Sequence, residues 1–197
     1  MRKNVDTVKK VFKRTKNDAV ALVDFFLSFG EFLSGGYNFI IRKARQEDFD
    51  SVFGIYFDKE SNRYLHYSGP MKRSEFKKIW ETMIQRRHSY VYEKNGEVIG
   101  YISCDCKTGQ CVHVAEITPI VVKRGHKGER VGYRLMRFLL RRLKEDGFKR
   151  IELMVNADNV KGIRFFRRLG FEREATIKKN TKRGRRYYDD YLMVKFF

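Results

Sequence analysis

The stretch KRGHKGERVGYRLM, Lys123 to Met136, follows the apolar run PIVV and packs five Lys/Arg and three Gly into fourteen residues before its apolar residues take up helical spacing. A strand, a glycine loop and a helix in direct succession constrain the fold more than any other feature of the chain. Val131, Leu135, Phe138, Leu139 and Leu143 fall at i, i+4, i+7, i+8 and i+12, the spacing of one buried helix face. Gly147 stands where a left-handed residue ends such a helix. A helix that starts after a loop of this kind exposes backbone N–H groups with no intrahelical partner, and its dipole adds positive potential at the same spot. Lys127 and Arg130 add charge beside it. The stretch predicts a cradle for an anion, phosphate first.

The other patterns arrange themselves around this unit. FIIRKA, from Phe39, reads as a strand, and QEDFDSVFGIYF as a helix opened by acidic residues that suit its positive end. MKRSEFKKIWETMIQRR is a second helix, with Met71, Phe76, Ile79, Trp80 and Met83 apolar. SYVYEKNGEVIGYISCDC reads as a hairpin about Asn95-Gly96, a pair suited to a type I′ turn, and CVHVAEITPIVV as the strand that enters the loop. RIELMV, the helix NVKGIRFFRRLGF closed by Gly170, and a long hairpin, REATIKKNTKRGRRYYDDYLMVKFF, complete the chain. The order predicts an α/β (α+β) fold, a mixed and largely antiparallel central sheet with helices on both faces.

Residues 1–36 read differently. Val5, Val8, Phe12, Thr15, Ala19, Leu22, Phe26, Phe29 and Leu33 form one helical stripe that stops at Gly35-Gly36. This predicts an N-terminal amphipathic extension over 1–36, ahead of a domain over 37–197. Its first sixteen residues carry seven Lys/Arg against one Asp, a pattern open to packing on its own domain, to pairing in a homodimer, or to an anionic surface.

Charge bears on partners rather than on architecture. With 43 Lys+Arg against 24 Asp+Glu, the formal charge is +19, a field that gathers phosphorylated cofactors, nucleic acid or anionic lipid. The most apolar early segment, AVALVDFF, is interrupted by Asp24, so no transmembrane segment is expected. Three cysteines fit a reducing compartment better than a disulfide framework, and the expectation is a cytoplasmic protein. In CDCKTGQCVH, a two-residue turn at Thr108-Gly109 would set Cys106 opposite Cys111 and Cys104 opposite His113, an arrangement open to zinc. The preferred reading is that these cysteines behave as small buried apolar groups, and no metal is assigned.

The element order and the motifs together resemble the GNAT superfamily of acetyl-CoA-dependent N-acetyltransferases, from about Phe39 to Phe197. The cofactor signature of that family falls on Lys127, Gly128, Glu129, Arg130, Val131 and Gly132, with Lys127 in place of Gln or Arg, and Arg130 in place of the first glycine. The resemblance implies acetyl-CoA as ligand, its pyrophosphate on the helix start and its pantetheine arm beside Ile120, Val121 and Val122. It extends the donor-binding set to Tyr133, to Asn159 at the asparagine position of the later block, and to Phe165 and Phe166. AEI, Ala115 to Ile117, resembles the matching strand of the histone-type lysine acetyltransferases and makes Glu116 the implied general base. Phe166 stands at the position of the tyrosine that protonates the departing thiolate in many members, and Met154 at that of a glutamate used by the ribosomal-protein branch. Tyr187, Tyr188 and Tyr191 of the last hairpin are the candidate replacements, Tyr188 and Tyr191 foremost. The expected activity is acetyl transfer to a primary amine on a protein or a small molecule. The basic rim KKNTKRGRR, six cations in nine residues, leaves open an RNA or ribosomal partner. Phe166 and Arg130 leave open an acyl-CoA-binding module with weak turnover.

Overall fold

The structure is a computed structural model that describes residues 39–58, 64–65 and 71–197. The amphipathic extension expected over 1–36 lies outside the described residues. From Phe39 the elements follow the expected order: β1 Phe39–Lys43, α1 Phe49–Tyr56, α2 Arg73–Gln85, β2 His88–Lys94, β3 Glu97–Cys106, β4 Val114–Val122, α3 Val131–Glu145, β5 Arg150–Asn156, α4 Val160–Arg168, β6 Glu172–Arg183 and β7 Arg186–Phe196. The strands form one seven-stranded sheet in the order β1-β2-β3-β4-β5-β7-β6. β4 and β5 run parallel, whereas β2–β3, β3–β4, β5–β7 and β6–β7 are antiparallel.

Local chemistry explains the turns. Asn95 (φ 52°) and Gly96 (φ 81°) both take positive φ, and Lys94 opposes Glu97 across them, as a two-residue hairpin of primed type requires. α3 ends with Phe148 N–H bonded to the Leu143 carbonyl and Gly147 N–H to that of Lys144. α4 ends the same way through Phe171 to Phe166 and Gly170 to Arg167. Gly147 (φ 85°) and Gly170 (φ 84°) supply the left-handed residue that this ending needs.

Alternation along β3 sorts the two faces of the sheet. Tyr101 meets Trp80 of α2, ring centroids 5.3 Å apart, so Tyr101, Ser103 and Asp105 face α1 and α2. There Phe76 lies among Phe49, Phe53, Tyr56 and Phe57, at centroid distances from 5.1 to 6.1 Å. Gly100, Ile102 and Cys104 face α3, which buries Val131, Leu135, Met136, Leu139, Leu140 and Leu143. Phe138 is half-buried, edge-on to Tyr90 at 4.9 Å. On the same face His88 is buried, with Nε2 3.0 Å from Asp146. Desolvation outweighs the attraction of that carboxylate and pushes its pKa down to about 4.

The cysteine hairpin is not as expected. Residues 107–113 form a longer connection that contains a 3-10 turn at Gly109–Cys111, and Cys104 and Cys106 oppose Ile117 and Ala115. The carbonyl of His113 instead accepts from Lys149 and Arg150 N–H, which ties this loop to the start of β5. Cys104 is buried and Cys111 exposed, and among the described residues no His/Cys/Asp/Glu group is arranged to hold a metal ion.

Candidate active site

β4 pairs with β5 only through Val114, Ala115 and Glu116, opposite Arg150, Ile151 and Glu152. Beyond Glu116, β4 runs on to Val122, paired with β3 on either side of a bulge at Thr118-Pro119 but with no pairing to β5. The two strands splay, and a cavity of about 920 Å3 opens at the divergence. Its walls are Glu116 to Ile120 on β4 and Leu153 to Asn156 on β5, with Tyr56 of α1, Ile79 and Met83 of α2, and the Asp158–Lys161 turn with Phe166. Lys127, in the glycine loop, also lines it. Unpaired strand backbone on one wall suits an extended ligand bearing amide groups.

The glycine loop meets the requirements of a phosphate site. No side chain caps α3, and the first helical bond runs from Arg134 N–H to the Arg130 carbonyl, so the N–H groups of Val131, Gly132 and Tyr133 precede the intrahelical ladder. Gly128 has φ 97°, and Arg130, the cap residue, is left-handed at φ 60°. At Gly132 an added Cβ would meet Val122, Ile120 and Phe165 at 3.6, 3.8 and 3.9 Å, which sets the helix start on β4 and α4. Glu129, the one acid in the loop, is held by Lys94 at 2.7 Å and His126 at 3.1 Å. The Lys94 hydrogen bond keeps its carboxyl below the usual range, and its charge is answered by neighbours rather than left to oppose an anion. The residues present therefore fit a diphosphate.

Glu116 sits at the vertex of the splay, half-buried in the cavity wall. Asp105 opposes it on β3 and Glu152 on β5, so three carboxylates share one face of the sheet. The outer two are neutralised. Arg86 Nε lies 2.7 Å from Asp105, and its Nη1 donates to the Thr118 carbonyl at 3.0 Å and to Ser103 Oγ at 3.1 Å. Glu152, 6% exposed, pairs with Lys107 and, at 3.0 Å, with Arg150. The charge of Lys107 also reaches Glu116, which accepts no hydrogen bond among the described residues. A carboxylate in this setting can bind an ammonium and take its proton.

The other expected residues divide. Ile120, Lys127, Asn159 and Phe166 line the cavity with Glu116. Val121 and Val131 are buried in the packing beside it, Val122 and Phe165 brace Gly132, and Tyr133 is 38% exposed on α3. Asn159 caps α4, its Oδ1 accepting from Gly162 N–H at 3.0 Å. Tyr188 and Tyr191 are not brought to the cavity. Arg183 covers the Tyr188 ring at 3.7 Å, and Tyr187 is 58% exposed on the hairpin. Tyr191 alternates with Asp190 onto the opposite face of the sheet, where Arg173 lies 4.7 Å from its ring. Among the described residues, the tyrosines that do line the cavity are Tyr56 and Tyr64. Neither these nor Arg86, Asp105 and Asn156 stand out in the sequence, because each reaches the cavity through strand register or helix packing and not through a local motif.

Comparison with known proteins agrees with this geometry. Residues 41–171 match the Acetyltransferase (GNAT) family. The chain is 34% identical over 164 residues to the L-amino acid N-acetyltransferase AaaT of Escherichia coli, covering 79% of this chain and 96% of that one. It is 30% identical over 151 residues to the uncharacterized N-acetyltransferase MJ1207 of Methanocaldococcus jannaschii, covering 72% of this chain and 66% of the relative, a little under two thirds of its length. The fold superposes on yncA of Salmonella typhimurium, solved with its cofactor acetyl-CoA, with a TM-score of 0.69 and 20% identity, covering 81% of this chain and 94% of that one. With its splayed β4 and β5, its uncapped helix start and the match over 41–171, the chain belongs to the GNAT family of acetyltransferases.

Proposed function

We propose that this protein transfers an acetyl group from acetyl-CoA to a primary amine, with Glu116 as proton acceptor. The observation that carries this reading is the place of Glu116 at the vertex of the β4/β5 splay, in the wall of a cavity that Lys127 of the phosphate-type loop also lines. The family match, the acetyl-CoA in yncA and the amine acceptor in the name of AaaT support it.

Acetyl-CoA supplies the acetyl group as a thioester. The loop and the α3 N-terminus would hold its diphosphate, and β4 past Glu116 its amide-bearing arm. An amine with a pKa near 10.4 arrives protonated. Glu116 accepts that proton, the freed nitrogen lone pair forms the new N–C bond as the C–S bond breaks, and the second proton of the acylated nitrogen passes to the departing thiolate or to water. A thiol has a pKa near 8.5, so the sulfur leaves as thiolate without a dedicated acid. Glu116→Gln is expected to lower kcat by about 10²–10⁴ while coenzyme A still binds, read by thiol release and by calorimetry; near-normal turnover would remove Glu116 from the reaction. Tyr188→Phe and Tyr191→Phe are expected to keep kcat within about threefold, since neither hydroxyl reaches the cavity.

A second reading, an acceptor amine carried on RNA or a ribosomal protein, is favoured by exposed cations on the two elements that border the cavity, α4 through Lys161 and the β6–β7 hairpin through the Arg183–Asp158 pair. Lys161, Arg164, Arg167 and Arg168 on α4, and Lys178, Lys179, Lys182, Arg185 and Arg186 on the β6–β7 hairpin, are all exposed. The check is RNA affinity against salt, where contact with phosphates gives a steep linear fall in log K with log salt concentration and a flat profile speaks for a small free amine.

A further inference from the structure

Asp190 on β7 is completely buried, and its carboxylate gathers donors from neighbouring strands. Thr181 Oγ1 and Asn180 Nδ2 of β6 donate to its Oδ2, each at 2.7 Å, and Asn156 Nδ2 of β5 donates to its Oδ1. Asn156 Nδ2 also donates to Thr181 Oγ1 at 2.9 Å. Both bonds use the nitrogen, so the amide is held in one orientation with its carbonyl oxygen turned from the network. That oxygen, on a residue 2% exposed, has no hydrogen-bond partner. A buried acceptor left unpaired costs about 1–3 kcal/mol, and this one belongs to a residue in the cavity wall.

Register places it relative to the reacting centre. Glu152 opposes Glu116, and side chains at 152, 154 and 156 fall on one face. Asn156 is therefore on the Glu116 face of the sheet, the side covered by α1 and α2, whereas α3, whose N-terminus suits the diphosphate, packs on the other. Four residues of strand separate it from Glu152, about 13 Å at ~3.3 Å per residue. A free amino acid or a small amine held at Glu116 does not reach that far. An extended peptide does, and it offers a backbone N–H every residue.

We infer that Asn156 accepts a hydrogen bond from a backbone N–H of an extended peptide acceptor, with Asp190 as the positioning residue that fixes its amide, so that the acceptor substrate is a polypeptide. The inference rests on the acetyltransferase reading above and adds the acceptor class.

The test uses the full chain, acetyl-CoA, and alanine amide against peptides of two to six residues, with the single amine at the N-terminus in one series and on a lysine in another. In the wild type, kcat/KM is expected to step up three- to tenfold, the worth of one hydrogen bond, once the acceptor reaches three to five residues. In Asn156→Thr, whose hydroxyl can still donate to Asp190, the ratio of long to short acceptor falls to about one. Loss of folded enzyme lowers both rates together and leaves the ratio intact, so the ratio reports the contact. A flat wild-type profile, or a step retained in Asn156→Thr, overturns the inference. So does a raised KM for acetyl-CoA with the ratio unchanged, which assigns Asn156 to the donor. Absence of turnover with every acceptor refutes the acetyltransferase reading itself, and this inference with it.

Discussion

Arg130 holds a left-handed conformation, φ 60°, that glycine adopts freely and an L side chain adopts at a cost of about 1 kcal/mol or more. The sequence identifies it as a cation where a glycine is expected; the strain becomes visible only with the backbone. Two effects of Arg130→Gly should then part company. Thermal stability is expected to rise by up to about 1 kcal/mol, tempered by the freer unfolded chain, while coenzyme A affinity falls with the loss of a charge-assisted contact. Calorimetry and thermal melts on one variant read both. His88 gives the pH dependence. With a pKa of about 4 when folded against 6.5 otherwise, it takes up its proton earlier in the unfolded chain. Its contribution is whole above about pH 6.5 and is lost as pH falls toward 4. Asp146 favours the charged ring, and Lys43, Arg87 and Arg142 oppose it. Denaturant midpoints measured from pH 7 to 4 should slope downward, less so in His88→Gln.

At the scale of elements, the place of the anion site depends on how α3 sits on β3. A methyl at Gly100 would lie 2.9 Å from Val131 Cγ1, 3.0 Å from Leu135 Cδ1 and 3.4 Å from the Val121 carbonyl. Gly100→Ala is thus expected to cost about 1–3 kcal/mol and to lift the start of α3, weakening coenzyme A binding; unchanged affinity would show the loop to be positioned independently of the sheet. Elements of this kind are legible in sequence where periodicity is long. The α3 stripe, the Asn95-Gly96 turn and the Gly147 and Gly170 stops depend on local spacing and backbone freedom. The β3–β4 connection was not legible, because Thr108-Gly109 resembles a tight turn while the loop is instead tied by His113 to β5. Glu116 and the loop follow from local motifs. The Asn156–Asp190 network joins three strands and depends on registers that no short pattern encodes, and the same parity turns Tyr191 away.

At the scale of the whole molecule, basic residues border the cavity among the described residues: Lys161 lines it and Arg183 pairs with Asp158 of its wall. If the α4 cations and the β6–β7 tip, where Arg183 opposes Arg186, act as a rim for the acceptor, acceptors bearing phosphate or acidic residues are expected to be favoured. Raising salt is expected to increase KM for an acidic peptide acceptor and to decrease it for a lysine-rich one, since screening removes attraction in the first and repulsion in the second; identical trends for the two would show that the rim does not take part. The interrupted ladder between β4 and β5 has a last consequence. A sheet that lacks hydrogen bonds at its centre joins its two halves there through little more than the three residue pairs ending at Glu116. Whatever strand-like molecule lies in that gap acts as a missing staple, and the fold should gain rigidity from its own reagent, by about 2.7 kcal/mol at a hundredfold excess over Kd. Hydrogen exchange along Ile117 to Val122 and Leu153 to Asn156 would slow on loading, making the weakest seam of the protein the place where it feels its donor.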